Sequence, residues 1–208
     1  MKVETVSARV ALLKMDAAVL RELERLRLTA TEAQERKGLR RVLRYYDAGR
    51  NDRFSFVLVE RLGRDLLDVK RAIAPLAADT QPFPKHRALA YACQMLSALE
   101  VVHAAGFVYR DMKLENFLTV PDTEDKLIKL SDFGHCRRHI VVGEDGARRV
   151  VAARTRGRVP IRGNERTLPL TAHKNRDWGR KDDVEALLYV LVEMAAGSLP
   201  WRGVNDVR

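Results

Sequence analysis

Between residues 109 and 134 the chain reads Tyr-Arg-Asp-Met-Lys-Leu-Glu-Asn and then, after a gap, Leu-Ser-Asp-Phe-Gly. Asp111, Lys113 and Asn116 fall within six positions, and Asp132 follows Asp111 by 21 residues. A fold that uses these groups together must carry the first set on one loop and fold Asp132 back beside it. The residue types suit one chemistry. Moving a phosphoryl group from ATP to a hydroxyl requires a carboxylate to orient the hydroxyl, a cation against the phosphate, and oxygen ligands for Mg²⁺. A lone Asp-Phe-Gly would be weak evidence. Two ordered motifs at this separation are strong evidence.

The plainer alternative is a charged loop over 109–116 and a solvated turn at Asp132. The flanking pattern weighs against it. Upstream, Leu89, Ala92, Cys93, Leu96 and Leu99 recur at helical offsets and predict one apolar face. Gly106 is placed to cap that helix in a left-handed conformation. Downstream, Leu127, Ile128 and Leu130 predict a short buried strand that runs straight into Ser131-Asp132.

Five further stretches extend the pattern. They are Gly49-Arg-Asn-Asp-Arg-Phe54 before a strand at Phe56–Glu60, Gly63-Arg-Asp-Leu66, Ala172-His-Lys-Asn-Arg176, Gly179-Arg-Lys-Asp-Asp183 and Gly197-Ser-Leu-Pro-Trp201. On these residues the chain resembles the protein kinase superfamily, within it the casein-kinase-one group, and most closely the tau-tubulin-kinase-like branch. Tyr109, where most kinases carry histidine, fits that branch.

The resemblance implies a two-lobed α+β fold with a mainly helical C-lobe, and a serine/threonine kinase that uses ATP and Mg²⁺. It implies that Asp111 positions the substrate hydroxyl and accepts its proton late, with Lys113 beside the transferring phosphate. Asn116 and Asp132 would hold Mg²⁺. Leu118 would lie under the adenine, backbone groups of Glu60 and Leu62 would bond its edge, and Val59 would guard the rear of the pocket. Asp183 matches the carboxylate that anchors the catalytic loop. Arg166 matches an arginine that receives a phosphate or acidic group of the substrate. Lys2 matches the lysine that contacts ATP phosphates, and Asp16 its helix partner.

Three places depart from the family pattern, one of them Thr167-Leu-Pro-Leu170, which stands where the family has a tyrosine-bearing sequence. Asp16 stands where the family has glutamate, one methylene longer, a loss of reach of roughly 1.5 Å. Lys2 therefore reads either as the ATP-contacting lysine or as an exposed terminal charge. Asn164 stands where the family has a threonine whose hydroxyl bridges the catalytic aspartate and lysine.

Lys2-Val3-Glu4 resembles a stretch that in the family follows two strands and a glycine-rich loop, yet none of the 12 glycines forms G-x-G-x-x-G. The expectation is a partial domain at both ends. Residues 1–62 would form a partial N-lobe ending in a hinge at Arg61-Leu62-Gly63, and 63–208 a partial helical C-lobe. The alternative to an active kinase is a truncated pseudokinase or partner-binding scaffold with weak or no catalysis.

Composition narrows the partners. Hydrophobic residues make up 46% of the 208-residue chain, enough for a core, and no run of apolar residues is long enough to span a bilayer. Cys93 and Cys136 lack metal-ligand spacing, Cys93 reads as a core residue, and a reducing cytoplasmic or nuclear setting follows. The net charge of +10 favours anionic partners. Seven arginines fall between positions 148 and 166, with Glu165 the sole acidic residue among them. That stretch has no aromatic residue for bases to stack on, which disfavours nucleic acid. Acidic or phosphorylated protein substrates fit better, with a merely solvated basic loop as the alternative.

Other elements follow from periodicity. Residues 10–28 predict an amphipathic helix with Leu13, Ala17, Leu20 and Leu28 near one stripe. The polar stretch 29–40 leads to a strand near 40–46, and a second strand covers 54–60. Pro75, Pro82 and Pro84 break the region after the hinge. A last helix opens at Asp182 with Glu185 completing a capping box, and Val184, Leu187, Leu188, Leu191, Val192 and Ala195 mark its buried face.

Overall fold

A computed structural model describes residues 1–8, 11–73, 80–151 and 164–203, with the side chains of 34 and 35 outside the description. Arg154, Arg156, Arg158 and Arg162 of the basic run lie outside the described residues. The chain mixes helix and strand. It begins with β1 (Lys2–Thr5), α1 (Leu12–Thr29), α2 (Ala33–Leu39), β2 (Tyr45–Arg50) and β3 (Phe54–Val59). The three strands form one antiparallel sheet in the order β1-β3-β2. The helix α1 packs against all three.

Leu13, Ala17, Leu20 and Leu23 recur on one side of α1 and are buried, joined by Asp16. Its first turn has no N-cap side chain. Instead Glu4 Oε1 accepts from the backbone N–H groups of Leu12 and Leu13 at 2.9 and 3.3 Å, tying helix to sheet. Leu28 is exposed, contrary to the predicted stripe. By direction it lies within about 20° of Ala17, but it sits in the last turn of α1, beyond Leu23 and Leu26, the last residues of the helix that pack on the core.

The segment 29–40 is not merely polar connection, and the strand starts later than predicted. Residues 33–39 form α2, which packs on the next long helix, and the chain turns into β2 only at Tyr45. Packing decides this. Leu39, Val42 and Leu43 are buried there, and Val42 makes an isolated bridge to Leu130.

After residues 60–65 come α3 (Leu66–Ile73) and α4 (Lys85–Ala104), then β4 (Phe107–Val108), β5 (Phe117–Thr119) and β6 (Ile128–Leu130). Four short elements follow: β7 (Arg137–Arg138), β8 (Ile140–Val142), β9 (Arg148–Val150) and α5 (Leu170–His173). The last described helix is α6 (Arg180–Ala196). β5 and β6 form a hairpin with Leu118 opposite Lys129.

The faces of both long helices differ from the prediction. In α4 the buried set is Ala88, Tyr91, Met95, Ala98, Leu99 and Val102, while Leu89 is 68% and Leu96 52% exposed. Cys93 is exposed as well, so it is not a core residue. The two stripes lie about a third of a turn apart on a helix of about 3.6 residues per turn, and both are apolar. In α6, Ala186, Leu187, Val190 and Met194 face the core, whereas Val184, Leu188, Val192 and Ala195 are exposed. Its N-terminus comes earlier than predicted: Gly179 is the N-cap residue, and Asp182 Oδ2 accepts from Gly179 N at 2.6 Å. Glu185 instead receives Leu170 N and the Tyr189 hydroxyl.

The main core runs from α1 through α4 to α6 and encloses Tyr109, Met112, Phe117 and Phe133. The stretch that carries the motifs is therefore threaded through the most buried part of the molecule.

Candidate active site

Helix α4 ends at Gly106, which adopts φ 88° as the sequence predicts. The chain then passes through β4 to Tyr109 and Arg110, whose backbone N–H groups are both bonded by one carboxylate on α6. Asp183 Oδ2 accepts from Tyr109 N at 2.7 Å and Oδ1 from Arg110 N at 2.8 Å. His103 Nε2 lies 2.8 Å from the same Oδ2. Asp183 is fully buried, and Arg110 sits at φ 67°, a left-handed conformation costly for a side-chain-bearing residue. The carboxylate holds that strain in place, and the strain sets the direction in which the loop leaves.

Asp111 comes next and is 1% exposed. Its Oδ2 receives Lys113 Nζ at 2.8 Å and Asn116 Nδ2 at 2.9 Å. Asn116 Nδ2 also donates to the Asp111 carbonyl at 2.8 Å. Asp111 Oδ1 is buried with no hydrogen-bond partner among the described residues. A desolvated carboxylate oxygen in that state is an acceptor without a donor, a costly arrangement in a folded protein.

The second motif is fastened to the first at two points. Ser131 N and Ser131 Oγ both donate to the Asn116 carbonyl, at 2.9 and 3.0 Å. Tyr109 Oη donates to the Ser131 carbonyl at 2.7 Å, and its ring meets Phe133 edge to face. Burial, with the charges of Asp111 and Asp132, pushes the Tyr109 phenol well above its ordinary value, so it remains a donor. Asp132 adopts φ 54° and, among the described residues, its carboxylate takes only a long 3.4 Å contact from Gly134 N. A Cβ on Gly134 would come within 2.9 Å of Leu12 Cβ, so only glycine allows α1 this close.

Lys2 and Asp16 meet, and the shorter carboxylate still reaches. Lys2 Nζ lies 2.9 Å from Asp16 Oδ2, and Asp16 Oδ1 accepts from Phe133 N at 2.7 Å. Asp16 thus joins β1, α1 and the turn that carries Asp132.

The other predicted residues border this centre. Val59 ends β3 and packs against the core, and Leu118 lies half-buried in β5. Glu60 N donates to the Arg44 carbonyl, and the Glu60 carboxylate takes Lys129 Nζ at 2.7 and 2.8 Å. Among the described residues, no hydrogen bond engages the Glu60 carbonyl or the Leu62 N–H, so each of the two positions predicted to bond a ligand edge keeps an open backbone group. Arg166 approaches the loop from the other side. It lies 3.3 Å from Glu115, the neighbour of Asn116, and 3.9 Å from Glu193. Asn164 does not turn toward Asp111: its Oδ1 accepts from Arg166 N at 3.1 Å.

Three contributors escape sequence reasoning. Thr167 is buried and donates from Oγ1 to the Met112 carbonyl at 2.6 Å, so a hydroxyl reaches the loop from three positions beyond Asn164. Lys129 neutralises Glu60, and Glu4 fixes the start of α1. None has a motif around it that spacing would reveal.

The donor set fits a hard divalent cation. The Asn116 amide nitrogen is committed to Asp111, so its planar amide leaves Oδ1 as the outward oxygen, beside a carboxylate on Asp132 that is nearly unbonded. Oxygen-only ligands of this kind suit Mg²⁺ with phosphate oxygens completing its shell.

Comparison with known proteins agrees with this geometry. The family described as protein kinase domain matches residues 5–208. A probable serine/threonine-protein kinase of Dictyostelium discoideum is 29% identical over 206 residues, covering 99% of this chain and 37% of that protein. The serine/threonine-protein kinase spe-6 of Caenorhabditis elegans is 27% identical over 180 residues, covering 86% of this chain and 45% of that protein. The chain thus spans less than half the length of either relative. With the 109–116 loop, the Asp132 turn and the Asp183 anchor assembled, and the match running nearly end to end, the chain belongs to the protein kinase domain family.

Proposed function

We propose that this chain carries a serine/threonine kinase centre of the casein-kinase-one type, closest to the tau-tubulin-kinase-like branch, that transfers the ATP γ-phosphoryl group to protein hydroxyls. The observation that carries the reading is the Asp111 carboxylate. One oxygen is fixed by Lys113 and Asn116, and the other is buried without a donor. A substrate hydroxyl is a donor of the right kind for Oδ1. Bonded there, it would be held in one orientation and could release its proton to the carboxylate late in the transfer. Lys113, bonded to Asp111 and partly exposed, supplies positive charge where the phosphoryl group would pass.

Mg²⁺ held by Asn116 and Asp132 would offset charge on the ATP phosphates. Glu60 and Leu62 would bond the adenine edge, with Leu118 beneath it and Val59 behind. Lys2, aligned by Asp16, would contact the phosphates. Arg166 supports a preference for acidic or phosphorylated substrates, since an incoming anion could replace Glu115 beside it. Such substrates fit a cytoplasmic or nuclear setting.

A second reading has its own support. The Asn164 side chain caps a turn rather than bridging Asp111 and Lys113. This favours weak catalysis and a role as a pseudokinase or scaffold. The test is incorporation of labelled phosphate from Mg-ATP into an acidic protein, beside Asp111→Asn and a melting curve with and without Mg-ATP. Incorporation lost in Asp111→Asn supports the kinase, and equal signal in both proteins identifies a contaminant. No incorporation, with a melting temperature that Mg-ATP does not raise, supports the scaffold.

A further inference from the structure

On the outer side of α2 an open groove of about 780 Å³ runs between that helix and the β5–β6 hairpin. Five cations line it: Arg36, Lys37, Arg40, Arg41 and Lys129. Among the described residues its lining contains no carboxylate. Lys129 is paired with Glu60, but among the described residues none of the other four makes an ion pair. Arg36 bonds only the Ala30 carbonyl and Arg41 only the Gln94 amide oxygen, both neutral acceptors. Burial and the adjacent Arg40 push the Arg41 guanidinium below its ordinary value, as like charges crowded without counter-charge must.

Val120 and Leu127 supply apolar surface within the groove, and Leu127 is 39% exposed. A cationic wall beside a small apolar strip matches a ligand that carries carboxylates and an occasional aliphatic side chain. No aromatic residue lines the groove, so stacked bases gain nothing there. Its concave shape suits an extended chain better than a flat lipid surface.

We infer that this groove is a docking site for an acidic, extended segment of a protein partner. It is separate from the Asp111 centre and from Arg166, so docking there would tether a partner without occupying the site of transfer. Lys129 links the two regions, because its ammonium spans from the groove to the Glu60 carboxylate. The inference does not depend on the chain's catalytic competence.

The test is fluorescence anisotropy of a short labelled peptide rich in Glu and Asp and carrying leucine, titrated with the whole chain. Replacing Arg36, Lys37 and Arg40 together by Ala is expected to weaken binding about tenfold or more, with the residual binding removed by salt. Replacing the exposed Lys14, Arg50 and Arg53 by Ala removes the same charge elsewhere and is expected to change affinity less than about twofold. Equal losses in the two variants would reduce the effect to net charge and overturn the proposal. So would tighter binding of a single-stranded oligonucleotide or of anionic phosphatidylserine vesicles than of the peptide. Amine acetylation of the unmutated chain gives an independent reading. The peptide should protect Lys37 and leave exposed Lys85 unchanged, and equal labelling of Lys37 with and without peptide would also overturn the assignment.

Discussion

Asp16 bonds Lys2 Nζ at 2.9 Å with one carboxylate oxygen and the Phe133 backbone N–H at 2.7 Å with the other. Both oxygens are engaged at ordinary lengths, so the shorter side chain is matched to its surroundings and not a weakened glutamate. The expected outcome is that Asp16→Glu destabilises the fold by about 1–3 kcal/mol, because the added methylene has no room beside the turn. Asp16→Ala should cost roughly 1–3 kcal/mol for the stranded Phe133 N–H alone. Urea denaturation measures both. A glutamate variant more stable than the parent would mean that Asp16 is a defect in the site.

Asp183 satisfies two consecutive backbone N–H groups at a strained point of the chain. Its loss leaves both donors buried and removes what keeps Arg110 at positive φ. Asp183→Ala is therefore expected to lose roughly 3–5 kcal/mol, enough to unfold a marginal domain. Asp183→Asn retains one good acceptor and should fall between. Thermal melts of the two variants rank them, and equal melting temperatures would show that the loop is held by something else.

Tyr109 Oη spans the gap between the two motifs to reach the Ser131 carbonyl. Phenylalanine keeps the ring contact with Phe133 but removes the donor. Tyr109→Phe should cost about 1–2 kcal/mol. Ultraviolet titration offers a second check. Because burial raises the phenol, Tyr109 should stay protonated above pH 10, where exposed tyrosines ionise, and titrate only as the protein unfolds. A phenolate signal from Tyr109 in the folded chain would contradict the geometry.

Thr167 donates to the Met112 carbonyl, a role that sequence reasoning does not assign it. Thr167→Val keeps the shape and removes the hydroxyl, and should cost about 1–2 kcal/mol. Thr167→Ser should restore most of it. Phosphate incorporation, where the chain shows any, should follow the same order. A valine variant indistinguishable from the parent would mean that Met112 needs no donor.

How much of this was legible in the sequence depends on the range over which each signal acts. That Asp111, Lys113, Asn116 and Asp132 gather in one place was legible, because two ordered motifs at this spacing must fold back on each other to act together. The Gly106 cap followed from a local rule about positive φ. The faces of α4 and α6 could not be chosen, because Leu89 and Leu96 compete with Met95 and Val102, and Leu188 with Leu187 and Val190, on helices apolar on more than one side. Which stripe is buried is decided by distant partners. The pairing of Lys2 with Asp16 was legible only through the family resemblance, with an exposed terminal lysine as the alternative, since 14 residues separate groups that the tertiary fold brings to 2.9 Å.

The two cysteines test that lesson chemically. Helical periodicity put Cys93 in the core, yet it is exposed, while Cys136 is buried beside Asp183, Asp16 and Asp132. Burial and those carboxylates push the Cys136 thiol well above its ordinary value, so it stays un-ionised and unreactive at neutral pH. Iodoacetamide should modify Cys93 in the folded chain and reach Cys136 only in denaturant, as peptide mass spectrometry would record. The sign of the pH effect follows. The unfolded thiol ionises near its usual value of about 8.5 while the folded one does not, so the unfolded state releases a proton that the native state keeps. The contribution is fully present below that pH and is lost as pH rises above it. Cys136→Ala should flatten this alkaline decline. A variant that retains the parent's full slope would assign the decline to other groups, Tyr109 foremost.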